Sequence, residues 1–179
     1  MTIVLRPALP EDVPALGALI VRSVHALQGA DYDDAQREGA LGSAFGVDRQ
    51  LIADGTYLIA ERDGALAGCG GWSRRATLYG ADAAAVRDPR LLDPATEPAR
   101  IRAFFIDPDH ARRGVAAAIL AACERAAQAE GYRALELMAT LTGIPFYAAA
   151  GFMPLEEEAA ALPNGATMPL RRMRKALVA

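Results

Sequence analysis

The clearest chemical signal in this 179-residue sequence is a basic turn between an apolar run and an Ala-rich helix. The apolar run ends at residues 104–106, and Asp107-Pro108 stops it because proline interrupts strand pairing. Arg112, Arg113 and Gly114 follow, directly before the helix. The first backbone N–H groups of a helix have no partners inside it, and with the helix dipole they attract anions. The turn is therefore predicted to hold a phosphate or pyrophosphate.

The same turn also has a purely structural interpretation, in which Gly114 serves the geometry of the connection and the arginines serve solvation. Spacing excludes two better-known phosphate loops. No Gly-Lys-Ser/Thr follows, as a Walker loop needs, and the Gly-x-Gly-x-x-Gly fingerprint of dinucleotide sites is absent. The turn taken alone leaves the anion site and the plain connection both open.

A second stretch, residues 143–152, places Phe146 and Tyr147 in a short Ala-rich helix that ends at Gly151. Glycine is the expected residue just beyond a helix C-terminus. The phenol of Tyr147 can donate a proton or a hydrogen bond. An aromatic pair beside an Ala-rich helix is also common in a plain core, so both interpretations of Tyr147 stand.

The basic turn resembles the acyl-CoA motif of the GNAT superfamily of N-acetyltransferases. The family pattern is Gln/Arg-x-x-Gly-x-Gly/Ala at the start of a helix, after a strand that ends in an acidic residue and a proline. Gly114 and Ala116 match its last two fixed positions, whereas Ala111 departs from the first. Arg112 and Arg113 supply positive charge next to the departure.

The second stretch resembles the C-terminal Phe-Tyr-x-x-x-Gly-Phe motif of the same family and matches it at every fixed position. The spacing between the two motifs also fits the family. The resemblance covers most of the chain, loosely before Leu66 and tightly from Phe104 to Phe152.

The resemblance implies that acetyl-CoA is the co-substrate and that an acetyl group passes by direct attack to the amine of a small molecule or peptide. No metal is expected. Tyr147 stands at the family's acid position and would protonate the departing thiolate. The residues that the resemblance assigns to the coenzyme are Phe104, Ile106, Arg112, Arg113, Gly114, Val115, Ala116 and Thr140. A non-catalytic acyl-CoA-binding sensor or regulatory domain is the alternative function.

The general base is left unassigned. Several members of the family use a glutamate on the fourth strand, but Arg102 stands there without an acidic neighbour on the strand. Near it in sequence are Glu97, Asp107, Asp109 and His110. Arg102 suggests either that the acceptor carries a negative group or that water relays the proton.

Three parts of the chain are candidates for the acceptor site. Tyr32 lies near the two helices that flank the acceptor in the resembling family, where it could face substrate or simply lie on the surface. Trp72 follows three glycines in the strand 65–74, and it is either a core residue or part of a pocket wall over 69–74. The irregular segment 76–99 is long enough to cover the site.

The strands and helices that position these residues are predicted to form one α/β domain over residues 1–179. Strand, helix, strand across 100–140 implies a parallel pair. With the resemblance, this gives a mixed, mostly antiparallel twisted sheet with a splayed parallel pair, flanked by helices. The final hairpin is expected to pair 152–156 with 167–174, with Glu156, Glu157 and Glu158 in the connecting loop. A solvated strand edge is expected from Arg171, Arg172, Arg174 and Lys175.

Composition limits the other possibilities. Apolar residues make up 53% of the chain, enough for a sizeable core, and a net charge of −3 argues against a nucleic-acid binder. Cys69 and Cys123 are too few for a disulfide framework, and His25 and His110 lie too far apart to suggest a metal site. Without a leader or a run of about twenty apolar residues, the expectation is a cytoplasmic protein without a membrane span, possible as a homodimer.

Overall fold

The computed structural model describes residues 2–178. The strands are β1 (Ile3–Pro7), β2 (Tyr57–Arg62), β3 (Ala65–Ser73), β4 (Ala99–Ile106), β5 (Ala134–Thr140), β6 (Met153–Ala161) and β7 (Thr167–Ala176). The helices are α1 (Val13–Leu27), α2 (Asp34–Ala40), α3 (Arg49–Ala53), α4 (Val115–Ala129) and α5 (Ile144–Ala149). Over residues 2–178, no helix combines the length and apolar character that a bilayer crossing requires.

The strands form a sheet in the order β1-β2-β3-β4-β5-β7-β6. Neighbours are antiparallel except β4 and β5, which run parallel and pair through Ala99 with Leu135 and Arg100 with Glu136. Beyond these residue pairs the ladder between β4 and β5 is not continued in the described chain, so the two strands diverge toward their C-terminal ends. The predicted mixed sheet with a splayed parallel pair is confirmed.

A bulge in β4 accompanies the divergence. Ala103 has a φ of 55°, and the register between β3 and β4 shifts opposite it, between Cys69 and Gly71. The hydroxyl of Tyr57 donates to the carbonyl oxygen of Ala103 at 3.1 Å, and this hydrogen bond stabilises the bulge. A side chain at Gly70 would not fit here, because its Cβ would lie 2.5 Å from the Phe104 ring. The glycines of β3 therefore mark a bulge and a close approach, as the sequence predicts.

Apolar side chains cover both faces of the sheet. On one face α4 packs Ile119 and Cys123 against the sheet, and on the other α1 packs Leu16 and Ile20. This follows from the pleat, since alternate residues of each strand point to opposite faces and both carry apolar residues. Trp72 belongs to the α4 side of the core.

The last hairpin is longer than the sequence predicts. Strand β6 runs through Glu156, Glu157 and Glu158, so these residues are strand and not connecting loop. An edge strand tolerates such charges because its outward side chains stay in water. Glu157 also pairs with Arg171 on the neighbouring strand.

The basic residues of β7 are not a solvated strand edge, which corrects a second expectation. Strand β7 lies inside the sheet, between β5 and β6. Arg172 binds the buried carboxylate of Glu136, with Nε at 2.7 Å, and Lys175 binds Glu124 at 2.6 Å. Of the four basic residues Arg174 is exposed. Charges on a central strand persist here because the neighbouring elements supply their counter-charges.

Candidate active site

A cavity of about 830 Å³ opens where β4 and β5 diverge. Its walls come from β4, from the turn and first residues of α4, from the end of β5, and from α5. The far end is lined by the α1–α2 connection and by the loop after β3. The volume lies within the range of pockets that hold cofactors and small molecules.

One end of the cavity is a row of free backbone donors at the start of α4. In the described chain, none of the N–H groups of residues 112–117 donates to a protein acceptor. Arg112 and Arg113 are exposed, and neither forms an ion pair within residues 2–178. Free amides, the dipole of a 15-residue helix and two unpaired cations make this end suited to an anion.

Gly114 is required at the turn by its backbone conformation. Its φ is 81°, in the left-handed region, yet a Cβ added there would meet no atom within 4 Å. Arg112 also lies in the left-handed region, with a φ of 58°. Left-handed residues of this kind are typical of turns whose backbone N–H groups bind anions.

Tyr147 lies where the cavity meets the core. Its side chain is 8% exposed, and its ring packs edge-on against Phe104, Phe146 and Phe152, with centroids 6.2, 5.0 and 5.6 Å away. Burial raises the pKa of its hydroxyl above the usual value. Within the described residues the hydroxyl has no hydrogen-bond partner, and Tyr147 lines the cavity. It is therefore both a core aromatic and a proton-bearing group at the site.

The cavity brings together most of the residues that the sequence assigned to the coenzyme. Those that line it are Phe104, Ile106, Arg112, Gly114, Val115, Ala116 and Thr140. Arg113 is not among the lining residues and lies on the exposed side of the turn. Thr140 ends β5, and its hydroxyl accepts the N–H of Gly143 at 3.0 Å.

We name the part of the cavity bordered by Leu27, Gln28, Phe45, Leu78, Tyr79 and Met138 the apolar chamber. Sequence reasoning did not single out these residues, because they come from four separate segments with no shared motif. The irregular segment 76–99 supplies Leu78 and Tyr79, so part of it lines the cavity, and its role as a cover over the acceptor stays a prediction.

The comparisons with known proteins now decide the family. A family model described as the acetyltransferase (GNAT) family matches residues 22–152. The chain belongs to the GNAT acetyltransferase family. The resemblance seen in the sequence is thereby confirmed, and acetyl transfer is the chemistry of the family. Among curated proteins the sequence has no match.

Solved structures agree with the assignment of this GNAT chain. A GCN5-related N-acetyltransferase from Rhodopseudomonas palustris is 25% identical, with a TM-score of 0.76 and coverage of 99% of this chain and 97% of the other. The PaiA N-acetyltransferase from Thermoplasma acidophilum, solved with coenzyme A, is 14% identical, with a TM-score of 0.64 and coverage of 98% and 99%. YncA of Salmonella typhimurium, a putative acetyltransferase solved with acetyl-CoA, is 14% identical, with a TM-score of 0.64 and coverage of 100% and 96%. The last two likenesses bear on the fold alone.

Tyr32 of this GNAT chain neither lines the cavity nor lies on the surface, so both expectations for it are corrected. It is buried, and its hydroxyl donates to the carbonyl of Pro169 at 2.7 Å and accepts the N–H of Leu141 at 2.8 Å. Burial raises its pKa to about 12, so it stays protonated. Tyr32 ties the α1–α2 connection to β5 and β7, and it positions the chamber wall.

Trp72 is a core residue, and the pocket-wall hypothesis for 69–74 is wrong. No residue of 69–74 lines the cavity. The indole packs edge-on against Tyr132, with centroids 6.0 Å apart, and the guanidinium of Arg74 lies 5.1 Å from its ring. The alternation of β3 turns Trp72 toward α4, away from the apolar chamber.

Arg102 does not present a free charge to an acceptor, which corrects its predicted role. The residue is 4% exposed, and its Nη2 donates to Asp48 at 2.8 Å and to the carbonyl of Gly80 at 2.7 Å. Its Nη1 donates to the carbonyl of Thr77 at 3.2 Å. Burial lowers its pKa to about 10, so it remains charged at neutral pH. Arg102 thus holds the loop that carries Leu78 against the sheet.

The carboxylates considered as bases, Glu97, Asp107 and Asp109, do not line the cavity. Glu97 binds Arg90 at 3.0 Å, and its pKa is lowered to about 2 by that hydrogen bond. Asp107 is bound by Arg22 and by the N–H of Asp109. Among the residues described, no Asp, Glu or Lys lines the cavity, and His110 is the lining residue among the candidate bases.

The two cysteines are not nucleophiles of this site. Cys69 and Cys123 are buried, and neither lines the cavity. Burial raises the pKa of each thiol to about 12. A thiol that stays protonated is a poor nucleophile, so the geometry does not support an acyl-cysteine route.

Proposed function

We propose that this chain transfers the acetyl group of acetyl-CoA to the primary amine of a small molecule or peptide by direct attack. The observation that carries the proposal is the continuity of one cavity. Its lining includes residues at the start of α4, Tyr147 and the residues of the apolar chamber. In this proposal the start of α4 serves as the donor site, Tyr147 as the proton-bearing group and the apolar chamber as the acceptor space.

The start of α4 fits the pyrophosphate of the coenzyme. Backbone N–H groups of Gly114, Val115 and Ala116 would donate to it, and Arg112 and Arg113 would add charge. The diverging part of β4 fits the pantetheine arm, because Phe104 and Ile106 there are not paired with β5. Thr140, at the end of β5, would face the same arm from the other side of the gap.

Acetyl-CoA supplies an acetyl thioester. The amine nitrogen forms a bond to its carbonyl carbon, the carbon–sulfur bond breaks, and the electron pair leaves on sulfur. The amine gives up one proton and the thiolate gains one. Tyr147 is the group whose O–H would meet the sulfur. Its raised pKa keeps the proton on the hydroxyl, and since a thiol titrates near about 8.5, Tyr147 acts first as a hydrogen-bond donor to the thiolate.

The amine must reach the carbonyl without its extra proton. No carboxylate among the described residues lines the cavity, and His110 is the lining side chain that could accept this proton as a neutral imidazole. The amine could also lose its extra proton to water in the cavity, or it could enter the site already neutral from solution. Direct attack is also favoured by the burial of Cys69 and Cys123, which leaves no thiolate to form an acyl intermediate.

Two measurements test the proposal. Titration calorimetry should show acetyl-CoA binding, and a thiol-release assay with an amine panel should show turnover. Tyr147→Phe should lower kcat by about 100-fold or more, the lower end of the usual contribution of a positioned proton-transfer group, with acetyl-CoA affinity retained. Tyr132→Phe is the matched control, because Tyr132 is a buried tyrosine whose hydroxyl binds the carbonyl of Leu92 away from the cavity.

Each outcome has a distinct meaning. No affinity for acetyl-CoA would overturn the proposal altogether. Binding without turnover on any amine would favour an acyl-CoA sensor. An unchanged kcat in Tyr147→Phe would remove Tyr147 from the chemistry while leaving acetyl transfer in place.

A further inference from the structure

The apolar chamber has a composition that restricts its ligand. Five of its six lining residues are Leu27, Phe45, Leu78, Tyr79 and Met138, which offer carbon surface and one phenol. A ligand that carries an apolar group gains free energy by burying that group here. A charged group placed among these side chains would lose its hydration without gaining a partner.

The sixth lining residue, Gln28, is an unpartnered polar group in this apolar setting. It is 7% exposed, and its Oε1 is fully buried without a hydrogen-bond partner. No hydrogen bond involves either end of its side-chain amide in residues 2–178. Buried amides in proteins are nearly always paired, so an unpaired one that lines a cavity indicates a ligand that completes it.

The position of Gln28 is fixed by its backbone. Its N–H donates to the carbonyl of Val24 at 3.2 Å, and its carbonyl accepts the N–H of Tyr32 at 3.0 Å. The hydroxyl of Tyr32 is in turn bound by Pro169 and Leu141. The backbone that carries Gln28 is therefore held in place at the cavity wall, which favours a binding role over a mobile surface role.

The charged residues around the chamber also favour an acceptor without additional charge. The titratable residues that line the cavity are Tyr79, Arg102, His110, Arg112 and Tyr147. Arg102 is paired with Asp48 and donates to the carbonyls of Thr77 and Gly80, and Arg112 lies at the start of α4. A polycation would meet no carboxylate in the described lining, and an acidic acceptor would meet no free cation in the chamber.

We propose that the acceptor is a weakly basic primary amine that bears an apolar group and no further charge, and that Gln28 binds it through a hydrogen bond. This inference rests on the proposed function, since it names the acceptor class of the same site. Gln28 is an amide, so it can accept the N–H of the amine or donate to a neutral polar group beside it. The hydrogen bond from Gln28 would orient the acceptor in a chamber whose other contacts are mainly apolar.

Basicity matters because no carboxylate among residues 2–178 lines the cavity, so a strongly basic amine would arrive protonated with no counter-charge beside it. At pH 7 an α-amino group of pKa near 7.8 is neutral about 300 times more often than a lysine-like amine of pKa near 10.4. The weakly basic amine therefore enters the site already neutral, which is the form that attacks the thioester. The strongly basic one has to lose its proton and its hydration first.

The closing experiment compares kcat/KM for a set of amines at saturating acetyl-CoA. The test pair is L-phenylalaninamide, whose amine is weakly basic, and 2-phenylethylamine, which carries the same ring on a strongly basic amine. At pH 7 the first should exceed the second by about 100-fold or more, and the gap should narrow about tenfold per pH unit above pH 8. Glycinamide, which lacks the ring, should fall below phenylalaninamide by about tenfold or more.

Variants of Gln28 separate binding from a structural role. Gln28→Leu should raise KM for phenylalaninamide about tenfold, with KM for acetyl-CoA unchanged. Gln128→Leu, on the exposed face of α4, is the matched control. Gln28→Glu should shift preference toward 2-phenylethylamine and spermidine by adding a negative charge, a change that a packing role would not produce.

The outcomes distinguish this inference from the proposed function. Faster acetylation of spermidine or L-glutamate than of phenylalaninamide would leave acetyl transfer standing and overturn the acceptor class. Equal rates for the two ring-bearing amines at pH 7, or an unchanged preference in Gln28→Glu, would also overturn it. Acetyl-CoA binding without acetylation of any amine, or failure to bind acetyl-CoA, would remove the proposed function itself and this inference with it.

Discussion

Replacement of Asp48 by asparagine should loosen one wall of the cavity while leaving the other intact. Asp48 is 1% exposed, and its carboxylate accepts from Arg102 at 2.8 Å and from Arg87 at 3.1 Å. Both arginines also donate to the carbonyl of Gly80, at 2.7 and 3.1 Å. One carboxylate thus pairs with two guanidinium groups, which together hold the loop with Leu78 in place.

The magnitude follows from burial. Breaking a buried pair by removing one partner costs about 3–5 kcal/mol, because the remaining charge stays buried without compensation. In a domain of this size about 1 kcal/mol lowers Tm by roughly 2–4 °C, so Asp48→Asn should lower Tm by about 6–20 °C. Asparagine keeps a side-chain oxygen for the N–H of Gln50, which Asp48 caps at 3.0 Å, so the α3 cap contributes little to the loss.

The matched control is Asp82→Asn. Asp82 pairs with Arg49, whose side chain is 67% exposed, and such pairs contribute about 0.2–1 kcal/mol. Its Tm should therefore fall by no more than about 4 °C. Thermal melts followed by circular dichroism make the comparison, and equal shifts in the two variants would refute the reasoning.

Asp48→Asn should also weaken the binding of the amine acceptor. Since Leu78 and Tyr79 wall the apolar chamber, Asp48→Asn should raise KM for the amine acceptor. The start of α4 is not part of the loop, so the Kd for acetyl-CoA from calorimetry should stay within about twofold. A loss of acetyl-CoA affinity as large as the rise in KM would show that the loop does not act on the acceptor end alone.

Three further predictions concern the turn, acid stability and the thiols. Gly114→Ala should cost about 1–2 kcal/mol of strain at a φ of 81° and weaken acetyl-CoA binding about tenfold, measured by melts and calorimetry. The hydrogen bond from Arg75 lowers the pKa of Asp54, so this pair stabilises the fold above about pH 4 and the contribution is lost as pH falls through the lowered folded-state pKa. Asp54→Asn should flatten the fall of Tm between about pH 5 and pH 3. Cys69 and Cys123, with thiol pKa values of about 12, should resist alkylation at pH 7.5 in the folded protein and react once it is unfolded.

Each of these has a control and a contrary result. Gly17→Ala, in α1 with no atom near the added Cβ, should be neutral or stabilising, and an unchanged acetyl-CoA Kd in Gly114→Ala would contradict the anion site. Glu38→Gln, at an exposed pair, should keep the normal acid dependence of Tm. Rapid labelling of the native thiols would show that the core opens more readily than its packing suggests.

Local signals in the sequence determined much of the fold. The Asp63-Gly64 turn between β2 and β3 has left-handed φ values of 53° and 79°, as its residue types require. Gly131 and Gly151 end α4 and the α5 segment with φ values of 92° and 94°. These features depend on backbone conformations that a few neighbouring residues fix, so a linear pattern is enough to find them.

The coenzyme end was also accessible from the sequence. A left-handed glycine, two arginines and a helix start are contiguous, and Tyr147 lies in a motif of fixed spacing. The sequence did not show which of these residues line the cavity. Arg113 turns to the exposed side while Arg112 lines the cavity, because the backbone reverses at Arg112 and Gly114.

Tertiary structure decided the other end of the site. Arg102 looked like a free cation on a strand, but its counter-charge Asp48 lies 54 positions earlier in the chain. Tyr32 looked exposed, but the partners of its hydroxyl lie 109 and 137 positions away. The sequence by itself determined the elements and the anion-binding turn, since each rests on neighbours along the chain. The apolar chamber and the unpaired amide of Gln28 arise only when distant segments pack, because burial and pairing of a polar group are properties of the folded chain.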